Sequence, residues 1–428
     1  MAVVGTENEP RIVIVGAGFG GLACARELGG TKAKVTIVDR QNYHLFVPLL
    51  YQVATAALSP ADIARPIRRI LGRFTNIDVI LGEVRAVDAA QRTVRLADGT
   101  ELGYGRLVLA TGSDYSYFGH PEWAALAPGP RSLEDARRIR SRLLISFERA
   151  EMARGPAEQQ LLMTTAIVGG GPTGVEMAGA VAELARYALA RDFRRIDPRR
   201  ARIVLIEAGP RILSAFPLSL SDYARTALER LGVTVILNEA VESIDATGVT
   251  TARQRIDAGT VIWGAGVQAS PAGSWLGAVL DRAGRISIDA DLSVKGIEGI
   301  YALGDTALAM DAAGSPLPAL AQVATQQGAH LGRSLREHLS NGRPLAPFQF
   351  RNRGNTAIIG RHAAVFDFGW WQLKGRFAWL LWAIIHVYLL VGFDNRLRVS
   401  LQWLWAYITY ERGARLIMSD ARSSERFE

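Results

Sequence analysis

A chain of 428 residues is long enough for two or three domains, and a hydrophobic content of 49% can supply their cores. Lysine and arginine exceed aspartate and glutamate by 49 to 41, a net charge of +8 that suits an acidic partner. The charges are scattered and accompany no nucleic-acid motif, so we expect no nucleic acid and look to a membrane surface. The single cysteine excludes a CxxC pair within the chain, and with it disulfide-reductase chemistry and sulfide oxidation by a cysteine pair.

Two further features bound the class of protein. Cys24 lies among small apolar residues and is expected in the core. No group of histidine and cysteine has the spacing of a metal site, so we predict no metal. Residues 1–10 lack a basic region followed by an apolar region and do not resemble a signal peptide, so we expect a cytoplasmic protein.

The first motif is a glycine-rich turn, Gly16-Ala-Gly-Phe-Gly-Gly21, after the apolar strand predicted for 11–15. Gly16 can make a sharp strand-to-helix turn, Gly18 lets the backbone approach a pyrophosphate, and Gly21 allows close packing of helix on strand. The helix that follows presents free N–H groups and a partial positive charge to phosphates.

A second glycine-rich turn, Gly169-Gly-Gly-Pro-Thr-Gly174, follows the strand predicted for 165–168. Gly169, Gly171 and Gly174 repeat the first arrangement. One such turn is a weak signal. Two of them, each behind a short β-branched strand and ahead of an alanine-rich helix, predict two dinucleotides held face to face and electron transfer between them.

Each turn is followed by an acid that can hold a ribose. Asp39 ends the strand predicted for 34–38, 18 residues after the last glycine of its turn. Glu207 ends the strand predicted for 202–206, 33 residues after its turn, because a polar stretch at 191–200 is inserted. The alternative for both acids is that of ordinary charges at strand ends.

The choice of acid also bears on the nucleotide. The Glu207 carboxylate accepts from the ribose hydroxyls of NADH and repels a 2′-phosphate, so the sequence favours NADH over NADPH. Arg211 lies close in sequence and is the alternative partner for such a phosphate.

The remaining elements complete the organisation. Residues 106–112 predict a buried strand that runs into a turn, and 132–135 predict a capping box that opens a basic helix reaching about residue 154. Residues 299–305 predict a short strand ending in Gly-Asp, and 320–339 predict a helix.

The predicted fold class is α/β, with two Rossmann-like dinucleotide-binding domains, the second inserted in the first, and a C-terminal helical membrane-attachment region. The first domain is predicted at 10–115 and 296–365, and a connecting segment with a helix at 116–163. The second domain is predicted at 164–295 and the amphipathic C-terminal region at 366–428.

The tail carries an apolar run at 377–393, 17 residues without a formal charge. A membrane-spanning helix needs about 20 apolar residues, so this run with its internal histidine is short. Tryptophan, tyrosine and arginine at its edges, and in a second run at 399–410, fit a membrane interface. We predict monotopic attachment. The alternatives are a dimer interface, a buried core helix and, least of all, a true span.

Several stretches carry a resemblance to a known family. The most specific is Ala321-Gln-Val-Ala-Thr-Gln326, which matches an AQxAxQ pattern tied to quinone binding. The others are Asn42–Thr55, Tyr117–His120 with Trp123, Val261–Val267, Gly354–Arg361 and the aromatic tail. Over nearly its whole length the chain resembles the type II NADH dehydrogenases, the single-subunit, non-proton-pumping NADH:quinone oxidoreductases of respiratory membranes.

The resemblance implies FAD at the first turn and NADH, as a substrate, at the second. It implies hydride transfer from NADH to the flavin N5 and then reduction of a membrane quinone, ubiquinone or menaquinone, to quinol. It also implies a homodimer bound peripherally, through its C-terminal region, to lipid at the cytoplasmic face of the inner membrane.

The predicted catalytic residues are Glu176, Gln322 and Gln326. The resemblance places Glu176 near the nicotinamide and flavin in an orienting or proton-handling role, and the alternative is a first-turn acid that interacts with the helix dipole. The two glutamines share one helix face and could donate to quinone carbonyls, while their helix N-terminus would stabilise a reduced anionic flavin. Their alternative is a polar surface stripe.

The predicted cofactor-binding residues fall into two sets. For FAD they are Gly16, Gly18, Phe19, Gly20, Gly21, Asp39, Arg40, Val84, Thr111, Gly112, Asp305, Ala321 and Gln322. For NADH they are Gly169, Gly171, Pro172, Thr173, Gly174, Glu176, Glu207 and Gly266. Two other functions stay open: an NADH-dependent flavoprotein reductase of a soluble iron–sulfur or other protein acceptor, and a redox-sensing flavoprotein. The membrane-like tail and the glutamine motif argue against the reductase.

Overall fold

The computed structural model describes residues 10–390, 396–401, 403–404 and 413–417. Its strands in chain order are β1 (Arg11–Val15), β2 (Lys34–Asp39), β3 (Tyr43–Leu45), β4 (Ala64–Pro66), β5 (Ile77–Leu81), β6 (Val84–Asp88), β7 (Thr93–Leu96), β8 (Glu101–Gly103), β9 (Arg106–Leu109), β10 (Ser113–Tyr115), β11 (Thr164–Val168), β12 (Arg202–Ile206), β13 (Val233–Ile236), β14 (Val241–Asp245), β15 (Gly248–Thr251), β16 (Arg255–Asp257), β17 (Thr260–Trp263), β18 (Val267–Ala269), β19 (Ile286–Ser287), β20 (Ile300–Ala302), β21 (Ala307–Leu308), β22 (Asn355–Gly360), β23 (Ala363–Asp367) and β24 (Gln372–Gly375).

The α-helices are α1 (Phe19–Leu28), α2 (Leu50–Ala54), α3 (Pro60–Ile63), α4 (Ile67–Leu71), α5 (Trp123–Leu126), α6 (Leu133–Met152), α7 (Pro156–Leu162), α8 (Pro172–Glu183), α9 (Leu218–Arg230), α10 (Ala272–Leu276), α11 (Ala321–Asn341) and α12 (Arg376–Leu389). Short 3-10 turns lie at Val47–Leu49, Pro198–Arg200 and Gly304–Thr306, and a π-helical turn at Leu184–Ala188 continues α8.

The described residues form two compact units. The first comprises 10–45, 64–114 and 267–352, and the second comprises 46–63, 115–266 and the described residues from 353 onward. The units divide the chain at other positions than the predicted domains do. A sequence reading follows strand–helix repeats, whereas compactness depends on which segments share a core, so 267–295 joins the first unit and 353–365 the second.

The first unit is built on a parallel five-stranded sheet in the order β20-β9-β1-β2-β5. Its central strand β1 is almost wholly apolar and buried, as expected for a strand covered on both faces. The chain passes from β1 through α1 to β2 and returns later to the other side of β1 with β9. The order therefore reverses between β1 and β9, the switch point where such sheets bind ligands at the strand carboxyl ends.

Helices α1 and α11 of this unit approach each other through small residues. A Cβ built on Gly328 would fall 2.0 Å from the backbone oxygen of Gly20, and one on Gly332 would fall 2.8 Å from that of Cys24. The predicted core position of Cys24 is confirmed, and burial raises the pKa of its thiol to about 12.

The second unit is built on a parallel four-stranded sheet in the order β13-β12-β11-β17. The chain passes from β11 through α8 to β12 and returns with β17 on the other side, so this sheet too has its switch point beside its glycine-rich turn. An antiparallel sheet, β22-β23-β24, packs against α8 at close range. A Cβ on Gly179 would fall 1.7 Å from the oxygen of Ile359.

Helix α6 begins at the predicted capping box, which is confirmed. The Asp135 N–H donates to the Ser132 hydroxyl at 3.1 Å, and the Ser132 N–H donates to the Asp135 carboxylate at 2.9 Å. The helix ends at Met152, two residues before the predicted end.

Helix α12 lies on β23 and β24 and is amphipathic in an unusual sense, because both of its faces are apolar. One face buries Ala378, Trp382 and His386, while Phe377, Leu380, Ile384 and Tyr388 are exposed on the other. The helix is shorter than the predicted apolar run, and 391–395 and most of 399–410 lie outside the described residues. In the part of the chain that the structure describes, no helix is long and apolar enough to cross a membrane.

Close contact between α1 and α11 predicts that Gly328→Ala lowers the melting temperature by a few degrees, equivalent to about 1–3 kcal/mol of overpacking. Alanine is the better helix former by about 1 kcal/mol, so destabilisation would show that sterics dominate. Gly103→Ala is the control, since a Cβ there meets nothing within 4 Å. Equal melting temperatures for both variants would contradict the packing argument.

Candidate functional site

The first glycine-rich turn requires glycine at two positions and leaves space at a third. Gly16 has φ of +99°, and a Cβ there would fall 2.3 Å from the Ala110 oxygen. A Cβ on Gly21 would fall 1.8 Å from the oxygen of Gly16, whereas one on Gly18 would meet nothing within 4 Å. The open side of Gly18, at the start of α1, is where a pyrophosphate can approach the backbone.

The peptide between these glycines is held from both sides. The Ala17 N–H donates to the Asp39 carboxylate at 2.6 Å, and the Ala17 carbonyl accepts from Nδ1 of His44 at 2.9 Å. A carbonyl only accepts, so Nδ1 carries the hydrogen. Burial lowers the pKa of His44 and keeps its ring neutral, and the ring meets Phe19 edge-on at 5.2 Å.

Asp39 stands at the end of β2, as predicted, and spends part of its carboxylate on the turn. Its second oxygen accepts the N–H of Gln41 at 2.7 Å. Burial raises the pKa of Asp39, and the two backbone N–H donors oppose that rise. The acid therefore fixes the turn as well as offering oxygens to a ribose.

The second glycine-rich turn repeats this construction in the other unit. Gly169 has φ of +104°, a Cβ on Gly174 would fall 1.8 Å from its oxygen, and a Cβ on Gly171 would meet nothing within 4 Å. The Glu207 carboxylate accepts the N–H of Gly170 at 2.6 Å. The Gly170 carbonyl accepts the backbone N–H of Leu213 at 2.7 Å.

His44 is a functional residue that the sequence reading missed. Its side chain donates to Ala17 in the first turn as the backbone N–H of Leu213 donates to Gly170 in the second. The signal available in the sequence was its position, five residues after Asp39. A histidine there was indistinguishable from a packing residue.

Around the end of β9 the structure brings together three predicted residues. The Thr306 hydroxyl accepts the N–H of Gly112 at 2.9 Å and lies 3.1 Å from the Thr111 hydroxyl, and Ser113 donates to Asp305 at 2.6 Å. Thr306 was not predicted. The cluster joins the β9 end to the Gly304–Thr306 turn, where a second stretch of the cofactor can be held.

The glutamines of α11 do different work. Gln326 donates to the Arg351 carbonyl at 2.9 Å and accepts the Arg351 N–H at 3.1 Å, so its amide braces that segment. Gln322 lies one turn earlier on the same face. The unpredicted Gln327 is fully buried and accepts the N–H of Gly304 at 2.7 Å.

The other predicted cofactor residues occupy several settings. Arg40 is exposed just after β2, Val84 begins β6 in the core, and a Cβ on Gly20 would fall 2.2 Å from Leu303. Ala321 begins α11, Pro172 begins α8, Thr173 hydrogen-bonds Tyr115, and Gly266, with φ of +66°, faces the ring of Phe118.

Arg211, the alternative ligand for a 2′-phosphate, is occupied by its own loop. Its guanidinium donates to the carbonyls of Phe216 and Ser214, each at 2.6 Å. Glu207 thus stands at the ribose position without a free cation supplied by Arg211, and this arrangement favours NADH.

Glu176 lies on the first turns of α8 and is fully buried. Burial raises the pKa of its carboxyl to about 8, and the opposing contact is weak, a backbone N–H from Ile358 at 3.5 Å. The side chain is therefore a neutral acid at neutral pH, with a proton to give.

Glu176 lines an apolar cavity of about 920 Å³ within the second unit. The walls come from α2, α8, the β22–β23 turn and α12, three distant parts of the chain. They include Tyr51, Gln52, Glu176, Glu183, Ile358, His362, Phe377, Trp379, Leu380, Trp382, Ala383 and Trp403. Such a space suits a flat, largely apolar molecule with a few polar atoms.

Polar groups in the cavity wall are arranged around two stacked indoles. Trp382 and Trp403 stack at 5.3 Å, and Trp403 donates to Gln52, whose amide donates in turn to the Tyr51 hydroxyl at 2.8 Å. Trp382 also stacks on His386, and burial lowers the pKa of that imidazole to about 4. The wall is thus uncharged around the indoles.

The comparisons agree with this geometry. A family model described as "Pyridine nucleotide-disulphide oxidoreductase" matches residues 10–328. The chain is similar to the Mycobacterium tuberculosis "Type II NADH:quinone oxidoreductase NdhA", 39% identical over 96% of this chain and 89% of that protein. It is also similar to that organism's "Type II NADH:quinone oxidoreductase Ndh", 36% identical over 97% and 92%. The disulphide chemistry of the family's description needs a cysteine pair, which this sequence lacks.

Among solved structures, the fold is similar to "NDH2 from plasmodium falciparum in complex with NADH". The TM-score is 0.86 at 20% identity, and the match covers 96% of this chain and 100% of that one. At this identity the likeness concerns the fold alone.

The buried carboxyl predicts a pH-dependent stability. Between pH 4.5 and about 8 the folded chain keeps the Glu176 proton that the unfolded chain releases, so this residue's contribution falls as pH rises. Glu176→Gln should therefore melt increasingly above wild type across that range, with a constant gap beyond it. Glu242→Gln on exposed β14 is the control, and parallel melting curves for Glu176→Gln and wild type would contradict the assignment.

The clamp on Ala17 predicts that His44→Phe weakens binding of the expected flavin about tenfold, because a buried carbonyl loses its donor. Phenylalanine keeps the ring that meets Phe19. His44→Gln, which can donate, should retain most of the affinity. Titration of each apoprotein with FAD, followed by flavin fluorescence, measures this, and wild-type affinity in His44→Phe would refute the clamp.

Proposed function

Because the chain belongs to the pyridine nucleotide-disulphide oxidoreductases and, among them, to the type II NADH:quinone oxidoreductases, we propose that it passes electrons from NADH through FAD to a membrane quinone without pumping protons. The observation that carries the proposal is the aromatic cavity with a neutral, buried Glu176 in its wall. A quinone is flat and apolar, and its reduction consumes protons.

Each glycine-rich turn takes one nucleotide in the proposal. FAD occupies the turn of the first unit, where Gly18 leaves room, α1 offers its N-terminus and Asp39 stands at the ribose. NADH occupies the turn of the second unit, with Glu207 in the corresponding place. When bound, FAD accepts a hydride from NADH and delivers its two electrons to the acceptor.

The chain's own residues supply position and protons. Reduction of a quinone to quinol takes two electrons and two protons. Glu176 can give one proton to a quinone oxygen and regain it from solvent, since its pKa of about 8 lies near neutral pH. The indole N–H of Trp382, buried and without a hydrogen-bond partner among the described residues, is available to the second polar end of a ligand.

The two predicted glutamines receive separate roles. Gln326 uses both amide atoms on Arg351, so we assign it the positioning of that segment. Gln322 keeps the proposed role of contacting the quinone. The α11 N-terminus, which has no side-chain cap, offers its N–H groups and partial positive charge to the reduced flavin.

Membrane attachment is proposed through the exposed face of α12. Phe377, Leu380, Ile384 and Tyr388 form an apolar stripe that no described element covers, and Arg376 begins the helix. Aromatic and basic residues at the ends of such a helix suit the headgroup boundary. The homodimer and the cytoplasmic face of the inner membrane belong to the same proposal and rest on the family resemblance.

The test is an anaerobic titration of the purified protein followed by visible absorbance. NADH should bleach the flavin bands, and a short-chain ubiquinone or menaquinone analogue should restore them rapidly. Bleaching without recovery would point to a protein acceptor or a redox sensor. A protein without a flavin spectrum would overturn the proposal.

The cavity makes a separate prediction for the acceptor. Ala383→Phe fills part of it and should raise the KM for quinone about tenfold, equivalent to about 1.4 kcal/mol, without changing the rate at which NADH bleaches the flavin. Ile384→Phe, the next residue but on the exposed face, is the matched control. An unchanged quinone KM in Ala383→Phe would remove the cavity from the acceptor step.

A further inference from the structure

The polar stretch 191–200 interrupts the second unit between its π-helical turn and β12, and neither nucleotide site uses it. It exposes five arginines: Arg191, Arg194, Arg195, Arg199 and Arg200. Both of its acids are already paired. Asp197 binds Arg199 at 2.8 Å, and Asp192 binds Arg415 from the C-terminal part of the chain. Within the described residues the other four arginines have no acidic partner.

The backbone of this arginine loop is held in place. The Glu151 carboxylate of α6 accepts the N–H groups of Arg194, Arg195 and Ile196 at 3.0–3.1 Å. Phe193 packs near Phe147 of the same helix, with ring centroids 6.2 Å apart. The acid thus fixes the loop through its main chain and leaves the guanidinium groups to solvent.

The loop is continuous with exposed apolar surface. Arg415 donates to the carbonyl of Ala188 at 2.8 Å, which pins 413–417 to the start of the loop with Leu416 and Ile417 exposed. Tyr187, just before it, is about half exposed and lines the same cavity as Phe377 and Leu380. Cations beside apolar and aromatic side chains are the composition of a surface that meets an anionic bilayer.

We propose that the arginine loop 191–200 binds the anionic headgroups of phospholipids, beside the apolar surface that enters the membrane. The inference rests on the proposed membrane attachment and adds a lipid preference to it. The apolar face of α12 supplies attachment to any bilayer, whereas the loop selects those with negative charge. A negatively charged surface attracts each arginine near it, and added salt weakens that attraction.

The test uses the full-length flavin-loaded protein and sedimentation with two kinds of vesicle, phosphatidylcholine alone and phosphatidylcholine mixed with phosphatidylglycerol. The variant replaces Arg191, Arg194, Arg195 and Arg200 with glutamine. The matched control replaces four other exposed arginines without a printed acidic partner: Arg92, Arg95, Arg253 and Arg282. We expect the loop variant to lose roughly tenfold or more in affinity for the anionic vesicles and to keep its affinity for phosphatidylcholine.

Three results would overturn the inference. They are wild-type affinity of the loop variant for anionic vesicles, an equal loss in the control, and no preference of the wild type for phosphatidylglycerol. Displacement by inorganic phosphate at constant ionic strength would show a site for free phosphate instead of a bilayer. NADH oxidation by a water-soluble quinone analogue, measured on the same samples, separates failure of this inference from failure of the proposed function.

Discussion

Both nucleotide sites depend on one peptide group that is held from both sides. In the first unit this is the peptide of Ala17, fixed by Asp39 and His44. In the second it is that of Gly170, fixed by Glu207 and the backbone of Leu213. Each lies at the switch point of its sheet, where β-strand order reverses and helix N-termini open. Since the N–H groups that meet phosphate follow directly, the clamp sets where a dinucleotide can lie.

Burial controls charge at the remaining groups. His44 and His386 are kept neutral by burial, as is the acid Glu176, and each lines or supports a binding space. An uncharged cavity admits an apolar acceptor, and a neutral carboxyl in its wall can release a proton when the acceptor gains electrons. The cationic surface is kept apart from this wall, on the exposed loop that follows Tyr187.

Local patterns in the sequence predicted the local structure well. Strands 11–15 and 202–206 occur with the predicted bounds, because glycine spacing and apolar runs act over a few residues. The compact units and the cavity could not be derived this way, since their walls join segments hundreds of residues apart. The role of His44 was hidden for a related reason: the donor that a carbonyl needs comes from a side chain in one unit and from the backbone in the other.

The most direct measurement is photolabelling with a light-activated quinone analogue, followed by peptide mass spectrometry, with the flavin reduced and oxidised. The account predicts labels in the segments that line the cavity, 51–57, 358–362 and 376–383, and their loss when excess quinone competes. Labels that resist competition, or that fall only outside these segments, would contradict the claim that quinone is reduced from this cavity.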